Sequence, residues 1–243
     1  IEAGSRIVIH GDYDFDGIAA SAILQRSLRL MAPSSEIEVV LPNRYEDGYG
    51  LSVAGLKRIR AEGADLVIAV DCGVTAIDAI EAAAKDGLEV MVLDHHRFIR
   101  DEQGEIVLPP ASVVVHPGLP VAGVDQVGTD HLCGAAVAFK VVWATARSHF
   151  RTERVPSVMK QELVEATILA GLGTIADVMP LVEENRALAA LALRGLPGSR
   201  IPGLRALLLE SGHGPDDGPV HEETIQFQLA PRINALGRFG SPM

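Results

Sequence analysis

The sequence predicts an α/β protein: a doubly wound, mainly parallel five-stranded sheet with helices on both faces, followed by a helical subdomain. Three observations carry this expectation. In the first half, short apolar runs bounded by small or polar residues alternate with amphipathic stretches, the rhythm of βα units. These runs are trailed by helical periodicity rather than by hairpin turns, so their partners in the sheet are parallel. The second half is rich in Ala and Leu at helical spacing and has no strand-like run.

Taken in order, Arg6 to His10 is the first strand. It leads through the glycine-flanked turn Gly11-Asp-Tyr-Asp-Phe-Asp-Gly17 into a helix-like stretch from Ile18 to Met31. Glu36 to Leu41 reads as the second strand. Leu66 to Val70 is the third, ending in Asp71-Cys72-Gly73 before a helical stretch from Thr75 to Lys85. Glu89 to Leu93 is the fourth and runs directly into Asp94-His95-His96, and Ser112 to His116 is the fifth. Beyond them, Cys133 to Phe150, Lys160 to Leu172, Glu184 to Leu196 and Gly203 to Leu209 follow the helical period. Pro197-Gly198, Pro202-Gly203 and the loop from Gly212 to Pro219 punctuate them. No terminal element is expected over Arg238 to Met243. These readings divide the chain into an α/β core over residues 1–125 and a helical subdomain over residues 126–243.

With 243 residues, 48% of them hydrophobic, the chain can bury one large core, or one large and one small. No apolar stretch approaches the roughly 20 residues that span a bilayer, and no signal-like segment opens the chain. A soluble, cytoplasmic monomer without membrane contact is therefore expected. Cys72 and Cys133 are the only cysteines, too few for a disulfide framework and in keeping with a reducing compartment. The net charge of −11 argues against holding nucleic acid by overall electrostatics, although not against a local basic groove. Clustered carboxylates at a metal site add to that count, and bound cations would reverse the local field.

In open α/β sheets, ligands bind outside the carboxyl ends of the strands near the switch in strand order. His10, Asp14, Asp16, Asp71, Asp94, His95 and His96 all fall at such ends. Imidazole and carboxylate together suit Mn, Fe or Zn. Asp14 and Asp16, two apart in an extended segment, can address one site while Tyr13 and Phe15 point away. The competing role for such acidic residues is to cap a helix N-terminus. One Asp suffices for that, however, and three in five residues repel one another without a cation. An EF-hand loop is excluded by the preceding strand and the missing downstream Glu. Asp177, in the apolar stretch Gly171 to Pro180, is either a further ligand or a hydrogen-bonded cap. Such a set suffices for two divalent ions about 3.5–4 Å apart, the arrangement that activates water and clamps a phosphoryl group.

The pattern His10-x3-Asp14-x-Asp16, then Val70-Asp71-Cys72-Gly73, then Asp94-His95-His96, then Asp177 resembles the four motifs of the DHH phosphoesterase superfamily. The segments Pro42 to Ser52, Gly173 to Leu181 and Arg232 to Arg238 resemble its bacterial single-strand exonucleases, and the likeness runs through essentially the whole chain. The resemblance implies two Mn²⁺ ions, with Mg²⁺ as a substitute. It puts His10 and Asp14 on one ion, Asp16, His95 and Asp177 on the other, and Asp71 between them. His96 would touch the scissile phosphate, Asp94 would orient the histidine pair, and Asp12 would be either a supporting acceptor or a turn former.

Arg44 either reaches a phosphate or pairs with Glu46 or Asp47. Tyr45 and Tyr49 either stack on bases or are buried locally. Arg232, Asn234 and Arg238 suit bidentate phosphate recognition. His116, His131, His149, His213 and His221 show no partner pattern and read as surface or satisfied polar residues.

The implied activity is a 5′-to-3′ exonuclease that releases 5′-mononucleotides from single-stranded DNA in repair and recombination, alongside a single-stranded-DNA-binding protein and a helicase. The alternatives are a related phosphodiesterase or pyrophosphatase acting on an oligoribonucleotide, cyclic dinucleotide or pyrophosphate, and a non-catalytic scaffold. Whole members of this group carry a smaller second domain with a glycine-rich, His-containing motif. Nothing in this chain matches that motif, so the chain is expected to be the catalytic half and to bind DNA weakly by itself.

Overall fold

The computed structural model describes residues 4–42, 50–120, 131–151, 154–214 and 217–239. A parallel five-stranded sheet holds β1 (Arg6–His10), β2 (Glu36–Val40), β3 (Leu66–Val70), β4 (Glu89–Leu93) and β7 (Val113–Val115) in the order β2-β1-β3-β4-β7. The strands are apolar almost throughout because both faces are covered. Ile7, Ile9, Ile68, Val70 and Leu93 face α1 (Phe15–Met31), α4 (Gly134–Phe150) and α5 (Ser157–Ala176). Val8, Val67, Ala69, Val90 and Val92 face the other way, onto Leu56 and Ile59 of α2 (Val53–Ala61) and Ile80 and Ala83 of α3 (Ile77–Lys85). From β1 the chain moves outward to β2, then returns past β1 to β3. The topological switch therefore lies between the carboxyl ends of β1 and β3.

The expected fold class is the observed one, and the deviations lie at element ends and in a few short or late elements that the sequence did not announce. α1 starts at Phe15 rather than Ile18, because the Asp14 side chain caps it, accepting the Gly17 N–H at 3.0 Å. α5 continues past Leu172 to Ala176 despite two glycines. There the glycines serve close packing: a Cβ at Gly171 would strike the Leu188 carbonyl of α6 (Glu183–Gly195), and one at Gly173 would strike Asp16 Oδ1. A two-stranded antiparallel hairpin, β5 (Ile99–Arg100) and β6 (Ile106–Val107), has strands too short to leave a periodic signal. After α7 (Pro202–Glu210), a short helix α8 (Glu222–Thr224) runs on through a π-helical turn (Ile225–Leu229) into α9 (Ala230–Phe239).

That last helix was not expected; it reaches Arg238 and Phe239 of the stretch read as lacking a terminal element, and residues 240–243 lie outside the described residues. Pro231 and Gly237 argue against a helix in the sequence, but Pro231 lies in the first turn of α9, directly after the widened π turn. The Ala230 N–H bonds back to the Ile225 carbonyl, and this wider winding accommodates a proline ring that a regular α-turn would reject. Among the described residues, no helix is long and apolar enough to cross a membrane.

Candidate metal centre

The turn after β1 is built on close backbone approach. A Cβ on Gly17 would lie 2.7 Å from the Asp12 backbone, and one on Gly11 would collide with the Ser21 hydroxyl. This tightness folds Asp12, Asp14 and Asp16 over the ends of β1 and β3. Asp12 is buried and accepts the Tyr13 N–H at 2.7 Å. Asp16, also buried, accepts the Gly134 N–H on Oδ2 at 2.7 Å and the Ala135 N–H on Oδ1 at 3.0 Å. It thus serves as an anion at the N-terminus of α4, where the helix dipole favours negative charge.

Asp71 follows β3 with a left-handed φ of 60°, a strained position for a non-glycine residue. Its N–H is held by the Leu93 carbonyl at 2.9 Å, and its side chain is almost wholly buried. Among the described residues, Oδ1 takes no hydrogen bond, although His95 Nε2 lies 3.1 Å away. A Cβ on Gly134 would come within 2.5 Å of that oxygen, so the start of α4 must be glycine.

Asp94, at the exit of β4, is saturated. Oδ2 accepts the Val74 N–H at 2.8 Å, while Oδ1 accepts the N–H groups of His95 and His96 at 2.7 and 3.1 Å and His96 Nδ1 at 2.8 Å. Burial alone would raise its pKa. The His96 and Val74 hydrogen bonds outweigh burial and hold it down at about 2. Asp177 ends α5, its N–H bonded to the Gly173 carbonyl at 2.9 Å, and Val178 beside it is left-handed at φ 55°.

Among the described residues, three sets of side chains converge, each offering one ligand atom within 4.8 Å of the others: Asp16, His95 and Asp177; Asp71, His95 and His96; and Asp12, Asp14 and Asp71. His95 Nε2 faces the carboxylates of Asp71, Asp177 and Asp16 at 3.1, 3.8 and 3.9 Å. Burial and the neighbouring negative charges of Asp16 and Asp14 raise the Asp71 pKa far above the usual carboxylate range and that of Asp177 to about 7. Burial likewise raises Asp14 and lowers His95, which keeps the imidazole neutral. A buried carboxylate oxygen without a donor, crowded acidic groups and a neutral imidazole fit a divalent cation with oxygen and nitrogen ligands.

Of the residues singled out in the sequence, Asp14, Asp16, Asp71, His95, His96 and Asp177 meet here. Asp94 stands immediately behind them. His10 is buried at the end of β1 with Nδ1 3.9 Å from Cys72 Sγ, and it is in none of the three sets, whereas Asp12 is. Asn234 reaches the centre differently from the expectation. Its Oδ1 accepts the Phe15 N–H at 2.7 Å and so pins the Asp12–Asp16 turn to α9. Arg232 Nη1 bonds Ser211 Oγ at 3.1 Å and the Gln228 carbonyl. Arg44, Tyr45 and Tyr49 lie outside the described residues, as does the side chain of Arg238.

Sequence reasoning missed Gly134 and Gly173, whose missing side chains admit Asp71 and Asp16, and read His116 without a specific partner. Gly173 in mid-helix was the one local signal. His116 hydrogen-bonds the His96 carbonyl through Nε2 at 2.8 Å.

The sequence matches the profile of the DHH family, N-terminal domain, over residues 6–171. It is 36% identical over 98% of its length to the single-stranded-DNA-specific exonuclease RecJ of Bacillus subtilis, 37% over 99% to that of Thermus thermophilus, and 33% over 97% to that of Escherichia coli. It covers 27%, 32% and 39% of those proteins. A manganese-bound exonuclease RecJ structure superimposes with a TM-score of 0.79 at 36% identity, covering the whole of this chain and 55% of that one. The Thermus thermophilus RecJ structures with Mn²⁺ and Mg²⁺ give TM-scores of 0.76 and 0.63 at 33% and 31% identity, covering 99% of this chain and 31% and 28% of those. With a family profile matched over most of its length, and with relatives more than 30% identical over nearly all of it, the chain belongs to the DHH family.

Proposed function

We propose that this chain is the catalytic part of a hydrolase that removes 5′-mononucleotides from single-stranded DNA in the 5′-to-3′ direction, with two Mn²⁺ ions, or Mg²⁺ in their place, as cofactor. The observation that carries the reading is the convergence of Asp12, Asp14, Asp16, Asp71, His95 and Asp177 around a buried carboxylate oxygen that takes no hydrogen bond. It occurs in a chain whose relatives are named single-stranded-DNA-specific exonucleases. A role in repair and recombination, a cytoplasmic location, and a single-stranded-DNA-binding protein and helicase as partners belong to the same reading.

In this reading, Asp71 is shared between two cation positions, with His10 and Asp14, and Asp12 close by, on one side and Asp16, His95 and Asp177 on the other. Ions held there would activate a water molecule and neutralise charge on the phosphoryl group. Asp94 commits Nδ1 of His96, leaving Nε2 as the ring nitrogen that meets a phosphate oxygen. The Asp94 hydrogen bond also raises the His96 pKa, which favours the protonated, hydrogen-bond-donating ring near neutral pH. His95, whose pKa burial lowers, and His96, whose pKa the Asp94 hydrogen bond raises, are adjacent residues set to different tasks by what surrounds each ring.

The test is Mn²⁺-dependent release of mononucleotides from 5′-labelled single strands. Asp71→Asn is expected to lower the rate at least ~100-fold, since it removes charge at the point shared by both cation positions. Retained activity in that variant would sink the assignment of the centre. Turnover of dinucleotides without turnover of long single strands would redirect the reading to a small substrate.

A further inference from the structure

We propose that His116 is a positioning residue for His96, acting through the backbone of the Asp94-His95-His96 segment; the inference rests on the reading that His96 contacts the scissile phosphate. His116 leaves the end of β7, the strand next to β4, and the two strands stay in register up to Leu93 and Val115. One further bond, from the Asp94 N–H to the Val115 carbonyl at 3.1 Å, brings the two exits together. Beyond that point the backbone ladder ends and the His116 side chain takes over. Nδ1 accepts the Gly118 N–H at 2.9 Å, and Nε2 lies 2.8 Å from the His96 carbonyl.

These two bonds define the tautomer. A backbone N–H can only donate, so Nδ1 is the bare nitrogen, and the proton on Nε2 points at the His96 carbonyl. Phe98 lies against the ring with centroids 4.0 Å apart, and Gly118 closes the other approach, since a Cβ there would sit 3.3 Å from His116 Nδ1 and 3.4 Å from Phe98. The ring is thus packed against Phe98 and held by its bonds to Gly118 and to the His96 carbonyl. His96 is in turn held at three points: its N–H and Nδ1 by Asp94 Oδ1, and its carbonyl by His116. Holding N–H and Nδ1 on one carboxylate oxygen sets the side-chain torsion. Holding the carbonyl stops the peptide from rotating and carrying the ring with it. Asp94 and His116 together fix the direction of Nε2.

The test compares His116→Leu, which fills similar space without a donor, with His116→Gln, whose amide can still donate to the His96 carbonyl. The Leu variant is expected to lower kcat about 10–100-fold, the usual consequence of losing an outer partner. KM should stay within about twofold, because nothing that touches the rest of the substrate is removed, and Gln should recover most of kcat. Long-range proton–nitrogen NMR spectra of the Mg²⁺-loaded chain should show His116 protonated at Nε2. The His96 ring nitrogen shifts should move in the Leu variant and return in the Gln variant. Leu at parental kcat, Gln as damaged as Leu, or the opposite His116 tautomer would each overturn the proposal. If the parent chain cleaves bis(p-nitrophenyl) phosphate but not single-stranded DNA, the exonuclease reading fails while the kcat comparison proceeds on the ester. If the parent is inert to both, the NMR measurements decide alone.

Discussion

Asp16 and Asp71 lie side by side in the same buried cluster and are treated in opposite ways. Both oxygens of Asp16 take amides from the start of α4, whereas Oδ1 of Asp71 takes none. An ionised carboxylate without a partner in such a place costs several kcal/mol, and burial, with the charges of Asp16 and Asp14 beside it, pushes the Asp71 pKa well up. Gly134 makes both arrangements possible, donating its N–H to Asp16 and leaving room for Asp71. Gly134→Ala is therefore expected to destabilise the chain by about 1–3 kcal/mol by overpacking. It should also weaken Mn²⁺ binding, because relief of the clash moves Asp71. Calorimetric titration with Mn²⁺ beside urea unfolding checks both, and unchanged metal affinity would show that Asp71 tolerates the displacement. The sequence displays Asp16 and Asp71 equally well as acidic residues after strands. The difference between them depends on amides 118 residues away from Asp16 in the chain.

The inner strands were readable as elements because both their faces are covered, which writes continuous apolar runs such as Ile7-Val8-Ile9 and Leu66–Val70 into the sequence. Helix bodies were readable for a related reason: their spacing is local. Helix ends were less so, because they are set by contacts that spacing does not encode, such as α5 carrying Gly171 and Gly173 into close packing with α6 and Asp16. α9 was missed altogether, since its proline is tolerated only after a π turn. That helix has a defined mechanical task, because Asn234 ties it to the turn bearing the acidic residues. Asn234→Ala leaves the Phe15 N–H without this acceptor, and a loss of about 1–3 kcal/mol is expected. Urea unfolding measures it, and a change below about 0.5 kcal/mol would mean that the turn finds another acceptor. The Mn²⁺ affinity of the same variant should fall as well, because Asp14 and Asp16 flank the released amide.

At the scale of the whole molecule, the proposed metal centre gathers buried acidic groups whose mutual repulsion a bound cation would relieve. Burial, with the charges of Asp16 and Asp14, raises Asp177 from 3.8 to about 7. A carboxyl group whose pKa is raised by folding contributes stability at low pH, and that contribution is lost as pH climbs from its unfolded value through its folded one. Without divalent ions, the Asp177 contribution should therefore fall between about pH 4 and pH 7, and Tm with it. Mn²⁺ competes with the same protons, so the Tm gain on adding it should be larger at pH 8 than at pH 5. At a free concentration of about 100 Kd the gain corresponds to about 2.7 kcal/mol. Melting curves in EDTA and in Mn²⁺ at the two pH values test this, and equal gains would contradict it. Taken by itself, the sequence determined the α/β class, the strands and the presence of acidic and histidine residues at their exits, because apolar runs and periodicity are local properties. Only the tertiary structure decided which carboxylate oxygens accept hydrogen bonds and which do not, that Asp12 also comes close to Asp14 and Asp71, and that His116 reaches the His96 carbonyl. Those outcomes depend on side chains brought together from strands and helices far apart in sequence, within a few ångströms that no spacing rule specifies.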